Sequence, residues 1–583
     1  MIAQMLQDAF DPFLRDPARL LPEDAVARQV HDYKSNEHQR RTHGFLEQPA
    51  WPVDPARACI VGVIDDAIPF AHELLRGPHD SSRVAAVWVQ DAPRPDGDGE
   101  LPGADLPWGR EWRGSSIGEL LRNTRGGDDA IYRAAGVLDY RRATHPSAGY
   151  EAGHGASVAM LAAGYRPDDP VGRNHPVIGV SLPPRVTEDT MGTLAPPYIL
   201  AGIMFIIHRA RRLCRYLETL RGLPAGSLRI PVVINISYGL TAGARDGSSL
   251  LERFMDAVST APQTDLGPVR FVLPTGNHRQ ASLVAQTLPD RAIAWRLHPG
   301  DRTISAVEIW APPLATRPVT AQLQVGLTLP GMAEAVTAFT DDGQLQILHG
   351  PEGTEIARAY FTPRKLPGGG WREGITVIAR PTLPDGSGRP VAPPGDWGLR
   401  ATGLPGDARV EISVQRDETV PGYTREALQS YLFDPGYSSY LPNGTPRRAD
   451  PEPPVSPIRR RFTLNAYAGG SEVLRAGATQ DSDGDASDYS GWLDDGGNGD
   501  LDCAADRSAV TAGMDVRGRD SGGFRRARGT SLSAPRVTRW LAAHLAAGER
   551  PASRTEIQAL AAAESTDPSR PHSLRFPHDF AEF

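Results

Sequence analysis

The chain has little cysteine, almost no lysine and no long apolar run. Its three cysteines among 583 residues, Cys59, Cys214 and Cys503, are odd in number and far apart. They give no disulfide framework and no metal-ligand spacing. The first stretch, MIAQMLQDAFDPFLRDPARLL, lacks a basic start followed by an apolar core, so it does not read as a secretory signal. The longest apolar run, YILAGIMFII at 198–207, is too short to span a bilayer and continues into HRARRLCRY. A membrane partner is therefore not expected, and a reducing, cytoplasmic setting is. The formal net charge is −8 and no basic stripe is visible, which argues against a nucleic-acid partner. RRARG at 525–529 and RRR at 459–461 read as solvated loops. Two lysines stand against 60 arginines, a bias that reads as GC-rich bacterial coding rather than mechanism. No internal repeat is visible.

What is present is an ordinary globular balance, 40% hydrophobic and 23% charged, in a chain too long for one core. Continuous apolar runs, ACIVGVIDDA (58–67), IPVVINISYG (230–239) and VRFVLPTGN (269–277), alternate with helical patterns at 155–164, 198–222 and 249–261. That alternation indicates a parallel sheet with helices on both faces. Each run ends in polar groups: Asp65 and Asp66, Asn235 and Ser237, Asn277. In open α/β sheets ligands sit beyond the carboxyl ends of the strands. From about 300 the texture changes to short alternating segments at 320–329, 343–350, 374–380, 397–403 and 408–416, separated by Pro/Gly-rich turns. These predict an antiparallel β-sandwich inserted into the α/β domain. The expected organisation is an N-terminal extension (1–50), the first part of the α/β domain (51–294), the sandwich (295–420), a Pro-rich connection (421–464), the second part (465–550) and a tail (551–583).

GTSLSAPRVTRWLAAHLAAG, 529–548, reads as a helix stopped at Gly548. Pro535 is tolerated in a first turn, which predicts a start near Ser531–Ala534. Three hydroxyls, Thr530, Ser531 and Ser533, crowd that start, where one would serve as a cap. A nucleophile set there would meet unpaired N–H groups and the helix dipole. GHGASVAMLAAG places His154 at the opening of another small-residue helix. An Asp ending a strand, a His opening a helix and a Ser opening a second helix make one set of reacting groups.

These segments together resemble the subtilisin-like serine proteases. VIDDAIPFAHELL (63–75) is similar to that family's aspartate segment and GHGASVAMLAAG to its histidine segment. INISYG (234–239) resembles its substrate-binding strand, PTGN its oxyanion asparagine segment, and GTSLSAP (529–535) its nucleophile segment. The order Asp, His, Ser is the family's own, and the resemblance covers roughly 55–290 and 465–547. It implies an α/β fold with a subtilisin-like parallel sheet. It also implies a triad of Asp65, His154 and Ser531, with Asn277 in the oxyanion hole and Ser237, Tyr238, Gly239 and Gly276 along the substrate. The implied activity is endoproteolysis of polypeptides through an acyl-enzyme, with no redox or nucleotide cofactor. The sequence departs from the pattern at Ala67, where the family usually has Gly, at Ala156 and Ser157, and at Arg536. None of these removes a reacting atom. The alternative reading is a non-catalytic or partner-activated peptide-binding protein that retains the fold.

Other segments carry further expectations. Asp66 reads as a turn residue. DSDGDASDYSGWLDDGGNGDLD (481–502) holds eight aspartates but has Ala486 and Trp492 where an EF-hand needs Gly and Glu. It reads as a solvated loop, with a calcium site as the alternative. The insertion at 91–150 is expected to form a flap beside the cleft, and residues 1–50 a helix packed on the surface. The sandwich is a candidate surface for a protein partner or for substrate selection.

Overall fold

A computed structural model describes residues 44–574, apart from 94–105, 107, 142–146, 150–152, 190, 193, 385, 387, 420–425, 493–497, 509–512, 566 and 568. The helix expected within 1–50 lies outside the described residues as far as residue 43. Phe45 and Leu46, just after it, are buried.

In chain order the α/β part comprises β1 (Ile60–Asp65), β2 (Val84–Val89), β3 (Arg110–Arg113), α1 (Gly114–Asn123), α2 (Gly127–Ala134), α3 (His154–Ala163), β4 (Val177–Ser181), α4 (Ala195–Arg221), β5 (Val232–Ile236), α5 (Leu250–Thr260) and β6 (Val269–Pro274). After the insertion come β7 (Leu474–Gln480), β8 (Leu501–Asp506), α6 (Thr530–Ala547), α7 (Arg554–Glu564) and β9 (Ser573–Leu574). The nine strands form one sheet in the order β9-β8-β7-β6-β5-β1-β4-β2-β3, parallel except for β3. This is the α/β class expected. The continuous apolar runs have a physical reason: successive side chains point to opposite faces, and both faces are covered. Ile60 and Ile64 of β1 enter one core with α4 and α5, whereas Val61 and Val63 enter the other with α3 and α6.

The insertion at 91–150 does not stand apart as a flap in its described part. β3 extends the sheet edge, and Ile117, Leu121, Ile131 and Tyr132 of α1 and α2 join the second core. Glu111 on β3 is buried between Arg209 of α4 (2.7 Å) and Arg113 (3.1 Å). Burial alone would raise its carboxyl; the two guanidinium groups hold it down at about 2. The segment 551–583, expected as a tail, adds α7 and the edge strand β9 to the domain.

The insertion between β6 and β7 is the predicted sandwich, made of a six-stranded and a five-stranded antiparallel sheet. Its strands run from Val284–Thr287 to Tyr431–Phe433, wider than the 295–420 read from the pattern. The strand 284–287 is only four residues long and begins seven residues after Asn277, so the pattern does not separate it from the site loop. Its core is built around Trp295 and Trp397, edge to face at 5.7 Å. Among the described residues no helix is long and apolar enough to cross a membrane, and all three cysteines are buried as free thiols.

Candidate active site

Asp65 is the last residue of β1 and His154 the first of α3. The His154 Nδ1 lies 2.8 Å from Asp65 Oδ1, with the ring about one-third exposed and the carboxylate buried. A second carboxylate fixes this geometry. Asp66, read from the sequence as a turn residue, caps α3: it accepts from His154 N (3.2 Å) and Gly155 N (2.5 Å). A helix start leaves such N–H groups unpaired, and a negative charge suits its positive end. Gly155 permits the approach, because a Cβ there would fall 2.4 Å from the Asp66 carbonyl oxygen. Burial and the neighbouring Asp65 raise the Asp66 carboxyl above its ordinary range. Burial acts to lower His154, but Asp65, first through its charge and then through its hydrogen bond, outweighs it and the imidazole is raised.

Helix α6 starts one residue before the range read from the sequence, at Thr530, and so carries Pro535 in its second turn. That position has a consequence. Proline has no N–H to offer the carbonyl four residues back, and this carbonyl, on Ser531, accepts instead from Ser237 Oγ at 3.2 Å. Ser237 in turn accepts from Asn235 Nδ2 (2.9 Å), so the end of β5 is bonded to the backbone of Ser531. Ser237 thus holds the first turn of α6 with its side chain.

The crowded hydroxyls divide their work. Thr530 Oγ1 accepts from Gly276 N (3.1 Å) and donates to Asn277 Oδ1 (2.9 Å), while Thr530 N donates to the same oxygen at 2.9 Å. Ser533 Oγ donates to the Cys503 carbonyl. Asn277 therefore caps α6 through its oxygen. With that oxygen facing two donors, its amide NH₂ is the end left for another acceptor. Gly276 spends its N–H on Thr530.

Tyr238 is half-buried, with its hydroxyl donating to the Val186 carbonyl at 3.3 Å. Gly239 is held to glycine by Asn465, whose Cγ would lie 2.4 Å from an added Cβ. Asn465 went unnoticed in the sequence. Its Nδ2 donates to the carbonyls of Tyr238 and Pro274 (3.1 Å each), and its Oδ1 accepts from Leu240 N (3.2 Å) and Tyr467 N (3.0 Å). One buried amide thus ties together the loops after β5 and β6.

The chain is similar in structure to the Clostridium perfringens CspB protease, with a TM-score of 0.55 over 88% of this chain and 90% of that chain, at 14% sequence identity. The likeness shows a shared fold. No protein-family model and no curated protein sequence matches the chain.

Two basic stretches read as solvated loops are so only in part: Arg526 and Arg528 are exposed, but Arg525 and Arg460 have partners inside the protein. Arg525, in the strand Phe524–Ala527, donates from Nε to Ser157 Oγ at 2.9 Å, one turn along α3 from His154. Arg460 is buried against Asp450 at 3.0 Å. In the aspartate-rich loop, Asp485 is paired with Arg448 and Arg570, and Asp500 with Arg475. Among the described residues no group of three or more His, Cys, Asp or Glu is arranged to hold a metal. Asp494 and Asp495 lie outside the described residues.

Proposed function

We propose that the chain is a serine endopeptidase of the subtilisin-like class, cleaving polypeptides through an acyl-enzyme. The observation that carries this reading is the 2.8 Å contact of His154 Nδ1 with Asp65. A ring whose Nδ1 is engaged by a carboxylate presents Nε2 as the base. It does so from α3, which packs against α6, at whose first turn Ser531 sits. In the proposed sequence His154 Nε2 takes the Ser531 hydroxyl proton as Oγ attacks the scissile carbonyl. The Asn277 NH₂ and the Ser531 N–H receive the oxyanion, and His154 returns the proton to the leaving amine. Water then repeats the cycle on the acyl-enzyme, and Asp65 stabilises the imidazolium in both halves.

A fluorophosphonate tests this directly. Wild-type protein is expected to take one covalent label, mapped by mass spectrometry to Ser531, and Ser531→Ala to take none. Folded wild-type protein that stays unlabelled would overturn the reading.

A further inference from the structure

The sandwich touches the central sheet's loops through a few of its residues. Its strand Val410–Val414 runs on into Gln415–Thr419. Gln415 Oε1 accepts from Thr241 N (3.1 Å) and Ala242 N (3.4 Å), and Thr241 Oγ1 donates to the Val414 carbonyl at 2.8 Å. Farther out, Arg372 donates to the Ala244 carbonyl and pairs with Asp246. Glu418 meets His278, the residue after Asn277, at 3.2 Å. One continuous segment of the sandwich is thus fastened to the loop that leaves Ser237–Gly239 and to the loop that leaves Asn277.

Arg416 lies between those two fastenings. Its guanidinium carbon is 5.4 Å from the centre of the Tyr238 ring. The residue is half-buried, and its Nε is buried with no hydrogen-bond partner. Among the described residues no carboxylate lies within ion-pair distance of it. Arg296, Arg358, Arg372, Arg380 and Arg400 of the same sandwich each hold one. The nearby Glu418 feels the Arg416 charge but is bonded to His278, and Asp189 Oδ2 accepts from Leu194 N. A half-buried guanidinium with an unmet donor is costly, and a planar fork over an aromatic face is already oriented for a carboxylate.

We infer that Arg416, carried to the cleft by the inserted sandwich, recognises an aspartate or glutamate side chain of a polypeptide lying along Tyr238. This rests on the reading of Ser237–Gly239 as a substrate strand, and it makes the insertion a determinant of specificity. The Tyr238 ring lies beside the guanidinium, and the arriving carboxylate pairs with its terminal nitrogens.

Binding to the Ser531→Ala chain, followed by fluorescence polarisation, tests this without requiring turnover. The probes are labelled peptides in pairs that differ by Glu against Gln, or Asp against Asn, at one position at a time. At one position the acid is expected to bind about tenfold tighter than its amide, the factor of a single charge-assisted hydrogen bond. Adding Arg416→Gln equalises the pair, and Arg416→Glu reverses the preference towards Lys at that same position, a gain that misfolding does not produce. Equal affinity for every pair, or a preference that survives Arg416→Gln, overturns the inference. Fluorophosphonate labelling of the wild-type chain is scored separately. A labelled enzyme without acid preference removes only this inference, and an unlabelled one that keeps the preference removes only the catalytic step.

Discussion

The central sheet and the inserted sandwich bring polar groups to the candidate site in different ways. In the central sheet the carboxyl ends of all strands but β3 lie on one edge, so residues that finish separate strands are neighbours: Asp65 at the end of β1, Ser181 on β4, and Asn235 and Ser237 on β5 and just beyond it. In the antiparallel sandwich successive strand ends point opposite ways, and contact with the site passes through single segments such as Gln415–Thr419. The first arrangement gathers chemistry by topology alone. The second must dock, and its contribution is as precise as the hydrogen bonds of Gln415 and the ion pairs of Arg372.

The largest effect should come from the edge that gathers. Asp65→Asn keeps the shape but withdraws the charge that orients His154, and turnover should fall on the order of 10⁴-fold, the size found for such carboxylates. Initial rates on a casein substrate, with thermal melts to confirm the fold, measure it. A loss of only a few-fold would mean that Asp66 substitutes for Asp65 and that the gathered edge is not specific.

On the sandwich the corresponding blow falls on stability. Trp397 is fully buried against Trp295, and Trp397→Ala should cost about 3–5 kcal/mol, read in a urea titration as a shift of the sandwich transition. If the two regions are separate cores joined by docking, labelling of Ser531 persists at urea concentrations above that transition. Loss of labelling in step with the sandwich signal would make them one cooperative unit and end the contrast.

The sheet and the candidate site residues were legible because parallel strands buried on both faces are continuous apolar runs with polar ends, and Asp65, His154, Asn277 and Ser531 each stand at such an end or at a helix start. The pattern did not reveal residues whose role is tertiary. The Asn465 side chain makes four hydrogen bonds to partners as far as 227 positions away, and nothing in TLNAY announces that. Asp66 looks like a turn until α3 arrives from 88 positions on. Arg525 and Arg460 read as solvated because a short basic run carries no sign of the Ser157 or Asp450 that will meet it. Pro535 misplaced the helix start for a related reason: the carbonyl it frees finds a partner on another strand. The segment 91–150 read as a flap because β3 is only four residues long and its place at the sheet edge is tertiary.

The smallest effects concern pH, and they separate the two regions most finely. Because Asp65 and Asp66 raise the His154 imidazole above its ordinary 6.5, the ring is mostly neutral only above that raised value. Labelling of Ser531 should therefore climb with pH through a midpoint above 6.5 and be lost as pH falls through it. Asp66→Asn removes one of the two negative charges and should move the midpoint down, at a stability cost of about 0.5–2 kcal/mol for the weakened α3 cap. Arg525→Gln removes a positive charge that lowers the imidazole, so the same midpoint should move up. Opposite shifts from two neighbours of one ring identify charge, rather than disturbed packing, as the cause. Glu418→Gln, on the docked segment of the sandwich, should leave the midpoint where it is, since that carboxylate is spent on His278. A shift from Glu418→Gln as large as that from Asp66→Asn would show that the sandwich tunes the base as well as bordering the cleft, and would bring the two regions into one electrostatic unit.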